Sequence, residues 1–189
     1  MSLPNLTGRK ICILATNGFE QSELIKPRDT LRDAGATVHV VSPESGEIRG
    51  WQGDDWGDSV SVDAPLDGAK AADYDALVLP GGQINPDLLR ADETAMALIK
   101  DFAAAGKPIA AVCHAPWLLI EAGLAKDKTM TCYTSIRTDL KNAGANVVDQ
   151  EVAVDGNLIT SRNPDDLPAF SAAIAMAVNE AASAKSETV

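Results

Sequence analysis

Apolar residues in this chain fall into short unbroken runs separated by stretches of helical spacing. Residues 10–15 form the first run, and 36–42, with Thr37, Val38, Val40 and Val41, form the second. Runs without polar alternation predict strands covered on both faces. The segment between them predicts a helix that stops at Gly35 and contains Pro27, which must kink it or restart it as a first-turn residue. Strand, helix, strand in this order makes a right-handed crossover and a parallel pair. Two more runs follow at 75–80 and 108–113, and between them 92–105 carries Met96, Ile99, Phe102 and Ala103 at amphipathic spacing. The alternation predicts an α/β fold built on a mostly parallel, doubly wound sheet with helices on both faces.

Two stretches interrupt this rhythm. Residues 46–65 place Glu47 to Trp51 and Ser59 to Val62 on either side of an acidic turn (Asp54, Asp55, Asp58), which predicts a small antiparallel appendage. Residues 151–162 carry Asp155-Gly156 between two apolar runs, a hairpin signal. A closing helix is expected over 166–182, its apolar face formed by Leu167, Phe170, Ile174, Ala177 and Val178, and the Ala/Ser/Glu-rich tail after Asn179 is expected to fray. No linker or repeat divides the chain, so 1–189 reads as a single domain with an ordered core over about 9–180.

Composition narrows the class. With 189 residues and 46% hydrophobic side chains, a domain of this size removes roughly 70% of its unfolded surface from water and needs neither disulfides nor structural metal. The net charge of −11 repels phosphate backbones, and 3 Trp, 2 Tyr and 3 Phe offer few stacking platforms, which argues against nucleic acid and anionic membrane as partners. Residues 1–8 lack an apolar core of signal-peptide length, and the longest nearly apolar stretch, 170–178, is too short to cross a bilayer, so a cytoplasmic location is expected. Three widely spaced cysteines, Cys12, Cys113 and Cys132, fit a compartment where thiols stay reduced. With His39 and His114 they show neither C-x-x-C nor H-x-x-x-H spacing, and no G-x-G-x-x-G or Walker A run is present, so neither metal nor other cofactor is expected.

Chemistry in a doubly wound sheet gathers at the carboxyl ends of the strands. Three junctions there stand out: Thr16-Asn17-Gly18-Phe19-Glu20, Leu79-Pro80-Gly81-Gly82-Gln83 and Val112-Cys113-His114-Ala115-Pro116. Cys113 follows a buried strand and precedes a helix over 115–121 that Gly123 ends. A sharp turn there, flanked by the small Ala111 and Ala115, would expose the thiol like the nucleophile of an elbow. Helix N–H groups would then lower its pKa below about 8.5. The plain alternative is a buried strand-end cysteine. His114 is placed to act as base or proton donor, although consecutive side chains diverge. His39, between valines, reads as structural, and Trp117 as helix-face packing.

Glu20 reads either as an acid complementing a helix dipole, with Glu23 beside it, or as a partner of Cys113 sharing one proton, thiolate plus neutral acid. Gly81-Gly82 is either a turn or a backbone approach whose N–H groups receive an oxyanion.

In their order and separations, Asn17-Gly18-Phe19-Glu20, Leu79-Pro80-Gly81-Gly82 and Ala111-Val112-Cys113-His114-Ala115-Pro116 resemble the ThiJ/PfpI superfamily. Ser161-Arg162-Asn163-Pro164-Asp165-Asp166-Leu167 resembles the S-R-x-P-x-D-L signature of its PfpI-like intracellular protease and general stress protein branch. The resemblance implies a flavodoxin-like sandwich that forms homodimers, sometimes hexamers. It implies Cys113 as nucleophile, Glu20 as its protonated partner, His114 as acid or base, and Gly82 with the His114 backbone N–H as oxyanion donors. Asp87 is the nearest candidate for the acid that orients the histidine, but Ile84-Asn85-Pro86-Asp87 runs one residue longer than the protease pattern, and Ala115 stands where Gly is usual. Chemistry on small reactive carbonyls, of glyoxalase or deglycase type, ranks above peptide hydrolysis, which asks more of the site. A redox-sensing stress protein whose cysteine is oxidised is the competing reading. A catalytically silent amidotransferase-like domain is a weaker one.

Overall fold

The structure, a computed structural model, describes residues 3–186. In chain order the first half comprises β1 (Lys10–Leu14), β2 (Phe19–Glu20), α1 (Gln21–Asp33), β3 (Thr37–Ser42), β4 (Glu47–Gln52), β5 (Asp55–Ser61), β6 (Ala64–Pro65) and β7 (Ala76–Leu79). Then come α2 (Ile84–Arg90), α3 (Glu93–Ala104), β8 (Ile109–Val112), α4 (Pro116–Glu121), β9 (Thr129–Met130), α5 (Arg137–Asn142), β10 (Asn146–Val147), β11 (Val152–Asp155), β12 (Leu158–Ser161) and α6 (Leu167–Ser186).

Seven strands form one sheet in the order β11-β12-β8-β7-β1-β3-β6, parallel throughout except for the β11–β12 hairpin. Alternation along β1 sends Ile11 and Ile13 to one face and Cys12 and Leu14 to the other, and every one of them is fully buried. On the first face lie Leu24 and Leu31 of α1 with Phe170, Ile174 and Val178 of α6. On the second lie Met96, Ile99 and Phe102 of α3 with Leu118 and Leu119 of α4. Two covered faces explain why the strands read as unbroken apolar runs.

The capping chemistry matches the boundaries. Asp92 accepts from the N–H groups of Thr94 (2.8 Å) and Ala95 (3.0 Å) and starts α3. Gly156, at φ of 62°, turns the β11–β12 hairpin as the Asp-Gly pair predicts. The appendage is a separate three-stranded sheet, β2-β4-β5, in which Trp51 faces Trp56 across the antiparallel pair. The helix α1 runs through Pro27 as one element. Proline has no N–H to give, so the carbonyl of Glu23, four residues earlier, lacks its usual helical donor. The final helix reaches Ser186, beyond the point where the sequence suggests fraying, because its Ala-rich composition sustains helix. Among the described residues no helix is long and apolar enough to cross a membrane.

Candidate active site

Cys113 adopts a φ of 64°, a left-handed conformation that costs a non-glycine residue roughly 1 kcal/mol or more. Its surroundings hold it there. Its N–H donates to Ser161 O (3.1 Å), its carbonyl accepts from Tyr133 N (2.9 Å), and Ala115 N closes a turn onto Val112 O (3.0 Å). Pro116 then opens α4 at a position where the missing N–H costs nothing. The result is the strand–turn–helix elbow that the apolar run and its small neighbours predict, with the residue 6% exposed.

Gly81 and Gly82 follow β7 on the adjacent strand. A Cβ at 81 would collide with a carboxylate oxygen of Glu23, lie 2.7 Å from Val112 O and 2.8 Å from the Cβ of Cys113, so only glycine permits this approach. At Gly82 the chain takes a φ of 79° and passes so close to the first junction that a Cβ would lie 2.7 Å from Glu20 N. The backbone N–H groups of Gly82 and His114 are directed at the Cys113 sulfur. These are the two donors assigned to the oxyanion site from the sequence.

The acid beside the thiol is Glu23. Glu20, which the sequence reading puts there, is instead the N-cap of α1, its carboxylate accepting from Ser22 N (3.3 Å) and Ser22 Oγ (2.7 Å). One helical turn later Glu23 points inward on the buried stripe Glu23, Leu24, Pro27, Leu31; it is fully buried and accepts from Gly81 N at 2.8 Å. That stripe was the available signal, a carboxylate on an otherwise apolar helix face. Glu20 still lines the mouth of the site.

Burial, reinforced by the charge of Glu20, pushes the Glu23 carboxyl up to about 8, against the N–H groups of Gly81 and Gly82 and the thiol, which favour its anion. Burial, then the charge of Glu23, pushes the Cys113 thiol up as well, opposed by the N–H groups of Gly82 and His114. The simple depression expected from an exposed helix end is therefore corrected: the thiol is sunk beneath the surface and faces an acid. Each of these two buried groups resists becoming anionic beside the other, so their protonations are coupled and the pair titrates as a unit.

His114 does turn toward the thiol, its Nδ1 3.1 Å from Cys113 Sγ, while its Nε2 lies 3.2 Å from Ser135 Oγ. The ring stacks on Tyr133 with centroids 4.7 Å apart and meets the Trp117 edge at 5.2 Å. Burial lowers its pKa from 6.5, so the imidazole is neutral at physiological pH. Within the chain, Asp87 is not the partner of its far nitrogen. That residue sits in the first turn of α2 and lines a shallow groove with Gln83, Leu88 and Trp117, while the far ring nitrogen meets a serine hydroxyl. Trp117, expected only to pack, also backs the imidazole ring of His114. His39 bonds Tyr74 OH through Nδ1 at 3.2 Å, a structural role as expected.

A cavity of about 410 Å³ opens above the sulfur, walled by Glu20, Trp51, Ile84, His114, Tyr133 and Pro164. Trp51 and Tyr133 reach the cavity from the appendage and from a short turn after β9, and neither they nor Ser135 of that turn were singled out in the sequence, because the turn carries no recognisable motif. The C-terminal signature gains a reason: Arg162 grips Asp166 through two nitrogens (2.8 and 3.0 Å) and Asp149 at 2.9 Å, and Asn163 caps the turn at Asp165 N, which sets Pro164 against the cavity. Among the described residues no group of three His, Cys, Asp or Glu side chains is arranged to hold a metal ion.

Fold and site together define a flavodoxin-like α/β protein with a cysteine on a strand–helix elbow. The chain belongs to the DJ-1/PfpI family, whose model matches residues 9–177. It is 45% identical over 165 residues to General stress protein 18 of Bacillus subtilis, covering 86% of this chain and 94% of that protein. It is 44% identical over 164 residues to Protein/nucleic acid deglycase 2 of Escherichia coli, covering 86% and 93%. Among solved structures, a two-domain protein from Anabaena variabilis with DJ-1/ThiJ/PfpI-like and ferritin-like domains matches with a TM-score of 0.83 and 38% identity, over 88% of this chain and 47% of that one. The chain thus spans about half the length of that two-domain protein.

Proposed function

We propose that this protein is a stress-protective, cofactor-independent enzyme acting on reactive dicarbonyl compounds or their adducts, with Cys113 as nucleophile, His114 as acid and base, and Glu23 holding the proton of the buried pair. The observation that carries this reading is the 3.1 Å approach of His114 Nδ1 to Cys113 Sγ, with the buried acid Glu23 also interacting with the thiol. Relatives named as a general stress protein and a deglycase support it.

The chemistry balances without an added oxidant. The thiolate adds to the aldehyde carbon of a 2-oxoaldehyde, forming a C–S bond as the carbonyl π electrons become an alkoxide beside the N–H groups of Gly82 and His114. That oxygen takes a proton, giving a hemithioacetal. His114 then removes the proton from this carbon and returns one to the neighbouring carbon, while the hydroxyl proton on the first carbon passes to the former ketone oxygen, which converts the hemithioacetal and ketone into a 2-hydroxyacyl thioester. Water cleaves the thioester, releases the 2-hydroxy acid and restores the thiol. In a hemiaminal adduct the C–N bond breaks as the amine takes a proton from the acid–base group, and the thiolate forms the C–S bond at the same carbon, which gives the same hemithioacetal. Peptide hydrolysis is disfavoured by the serine, rather than a carboxylate, on the far nitrogen of His114. Self-association is part of the proposal, and a strictly monomeric chain in sedimentation would remove it.

Methylglyoxal consumption tests the reading. The wild type turns it over and Cys113→Ala falls to the uncatalysed rate; equal rates for the two would discard the enzyme. One observation favours a second reading as a redox sensor: Cys113 is 6% exposed whereas Cys12 and Cys132 are fully buried, so peroxide meets Cys113 first. Each peroxide would transfer one oxygen to sulfur and leave as water, and intact mass after peroxide titration reads the result.

A further inference from the structure

The two nitrogens of His114 face different chemistry. Nδ1 meets the Cys113 sulfur at 3.1 Å and Nε2 meets the Ser135 hydroxyl at 3.2 Å. The ring has little freedom to leave either partner, with Tyr133 stacked on one side, tilted by 27°, and Trp117 edge-on at 64°. Ser135 is itself held: it lies in the turn Thr134–Ile136, which Ile136 anchors in the core and which follows directly on Tyr133, whose N–H is bonded to the elbow carbonyl of Cys113 at 2.9 Å.

We propose that Ser135 is a positioning residue that lets the imidazole of His114 carry its single proton on either ring nitrogen, so that one histidine both takes and returns protons at Cys113 during turnover. This rests on the carbonyl-processing reading of the site. A hydroxyl donates or accepts according to how it rotates about its C–O bond. With the proton on Nδ1, ready for an alkoxide or thiolate, Nε2 accepts from the serine O–H. With Nδ1 bare and ready to take a proton, Nε2–H donates to the serine oxygen. Both states keep every polar group paired and both are uncharged. A carboxylate at the same place only accepts; it would pin a proton on Nε2 and favour imidazolium. Moving a proton between adjacent carbons, with no net gain, calls for the first arrangement.

The charged groups around the ring are consistent with a neutral imidazole. Glu23 interacts with the Cys113 thiol, Asp139 is engaged by Trp117 Nε1 at 2.9 Å, and Arg90 sits over the Trp117 ring at 5.5 Å. Among the described residues the ring nitrogens themselves bond to sulfur and hydroxyl alone.

The chain has 2 histidines, so imidazole ¹⁵N spectra of the intact protein are simple, and His39→Gln assigns them. At neutral pH the wild-type His114 nitrogens should both show averaged shifts, between the bare and protonated extremes. Ser135→Ala should push them apart toward one tautomer and lower kcat about three- to tenfold with KM nearly unchanged, while Ser135→Thr restores both readouts. Ser135→Asp should raise the His114 pKa and move the acidic limb of kcat/KM upward by about one pH unit. Ser135 is exposed, so these variants should fold. Unchanged ¹⁵N shifts in Ser135→Ala, or a wild type locked in one tautomer, would overturn the proposal. Were the wild type to lack dicarbonyl turnover, the enzyme reading would fall, and the nitrogen shifts would still decide the role of Ser135.

Discussion

The Gly81 amide reaches the Glu23 carboxylate at 2.8 Å across a gap in which no side chain fits. That bond joins the end of β7 to the first turn of α1 directly beneath the elbow, and the position of the buried acid relative to the sulfur depends on it. The pair Gly81–Glu23 therefore links the turn residue of one junction to the proton chemistry of another.

Gly81→Ala should displace Glu23, Cys113 or both. Overpacking of this kind typically costs about 1–3 kcal/mol, and denaturant titration should show a loss in that range together with a fall in methylglyoxal turnover. Full activity in Gly81→Ala would show that the close approach is dispensable.

Glu23 makes stability depend on pH in a defined direction. Its carboxyl rises from an ordinary value of 4.5 to about 8 in the fold, so between those values the folded protein holds a proton that the unfolded chain has released. Its contribution is complete below about 4.5 and is lost as pH climbs to about 8, with a slope of at most about 1.4 kcal/mol per pH unit. Glu23→Gln, which cannot ionise, should flatten the stability curve across that window, measured by denaturant midpoints at successive pH values.

The same variant reports where the shared proton resides. Below about pH 8 Glu23 is uncharged, so the upward push of its charge on the thiol is absent there. In the proposed reactive form its carboxylic acid donates to the thiolate, and an amide is a weaker donor, so Glu23→Gln should move the pH midpoint of Cys113 alkylation upward by roughly one unit. A downward move would mean that a charged carboxylate had been holding the thiol protonated, and would reverse the assignment.

His114 is kept neutral by burial, with a pKa below 6.5. Catalysis that depends on its neutral form should persist as pH falls to 6.5 and fade below it. His114→Gln should lower kcat by about 10²–10⁴-fold, the range of a lost acid–base group, and should remove that acidic limb from the pH–rate profile.

Trp51 forms a wall of the cavity and belongs to the small sheet β2-β4-β5. Trp51→Ala should raise KM by about tenfold for substrates that fill the cavity while leaving kcat within about twofold. Steady-state kinetics with a small and a bulky dicarbonyl compared side by side would check it; an equal effect on kcat would place Trp51 among the residues acting on the transition state.

Much of the framework was legible in the chain because strands buried on both faces leave an unambiguous signature. The runs around Ile11, Val38, Leu77 and Ala110 are strands of one sheet, Asp155-Gly156 turns a hairpin, and Cys113 stands on an elbow. Short elements escaped: β2, α2 and α5 are too brief for periodicity to declare them. The choice of Glu20 over Glu23 failed for a local reason. Proximity to the Asn-Gly-Phe junction favoured Glu20, but a residue just before the first helical turn finds its own backbone and neighbour to bond, whereas Glu23 lies on the stripe shared with Leu24 and Leu31. Ser135 and Tyr133 were invisible because their role comes from a chain crossing after β9, a long-range packing relation with no spacing in sequence.

The small sheet β2-β4-β5 brings Trp51 to the cavity, while the elbow, its histidine and the turn bearing Ser135 are bound to one another and to the large sheet. Under the proposed function, recognition and bond-making are thus mounted on separate supports. Changes in the β4–β5 ribbon can retune which molecules are admitted while the reaction itself is left intact, so descendants of this scaffold are free to diversify their diet without relearning their chemistry.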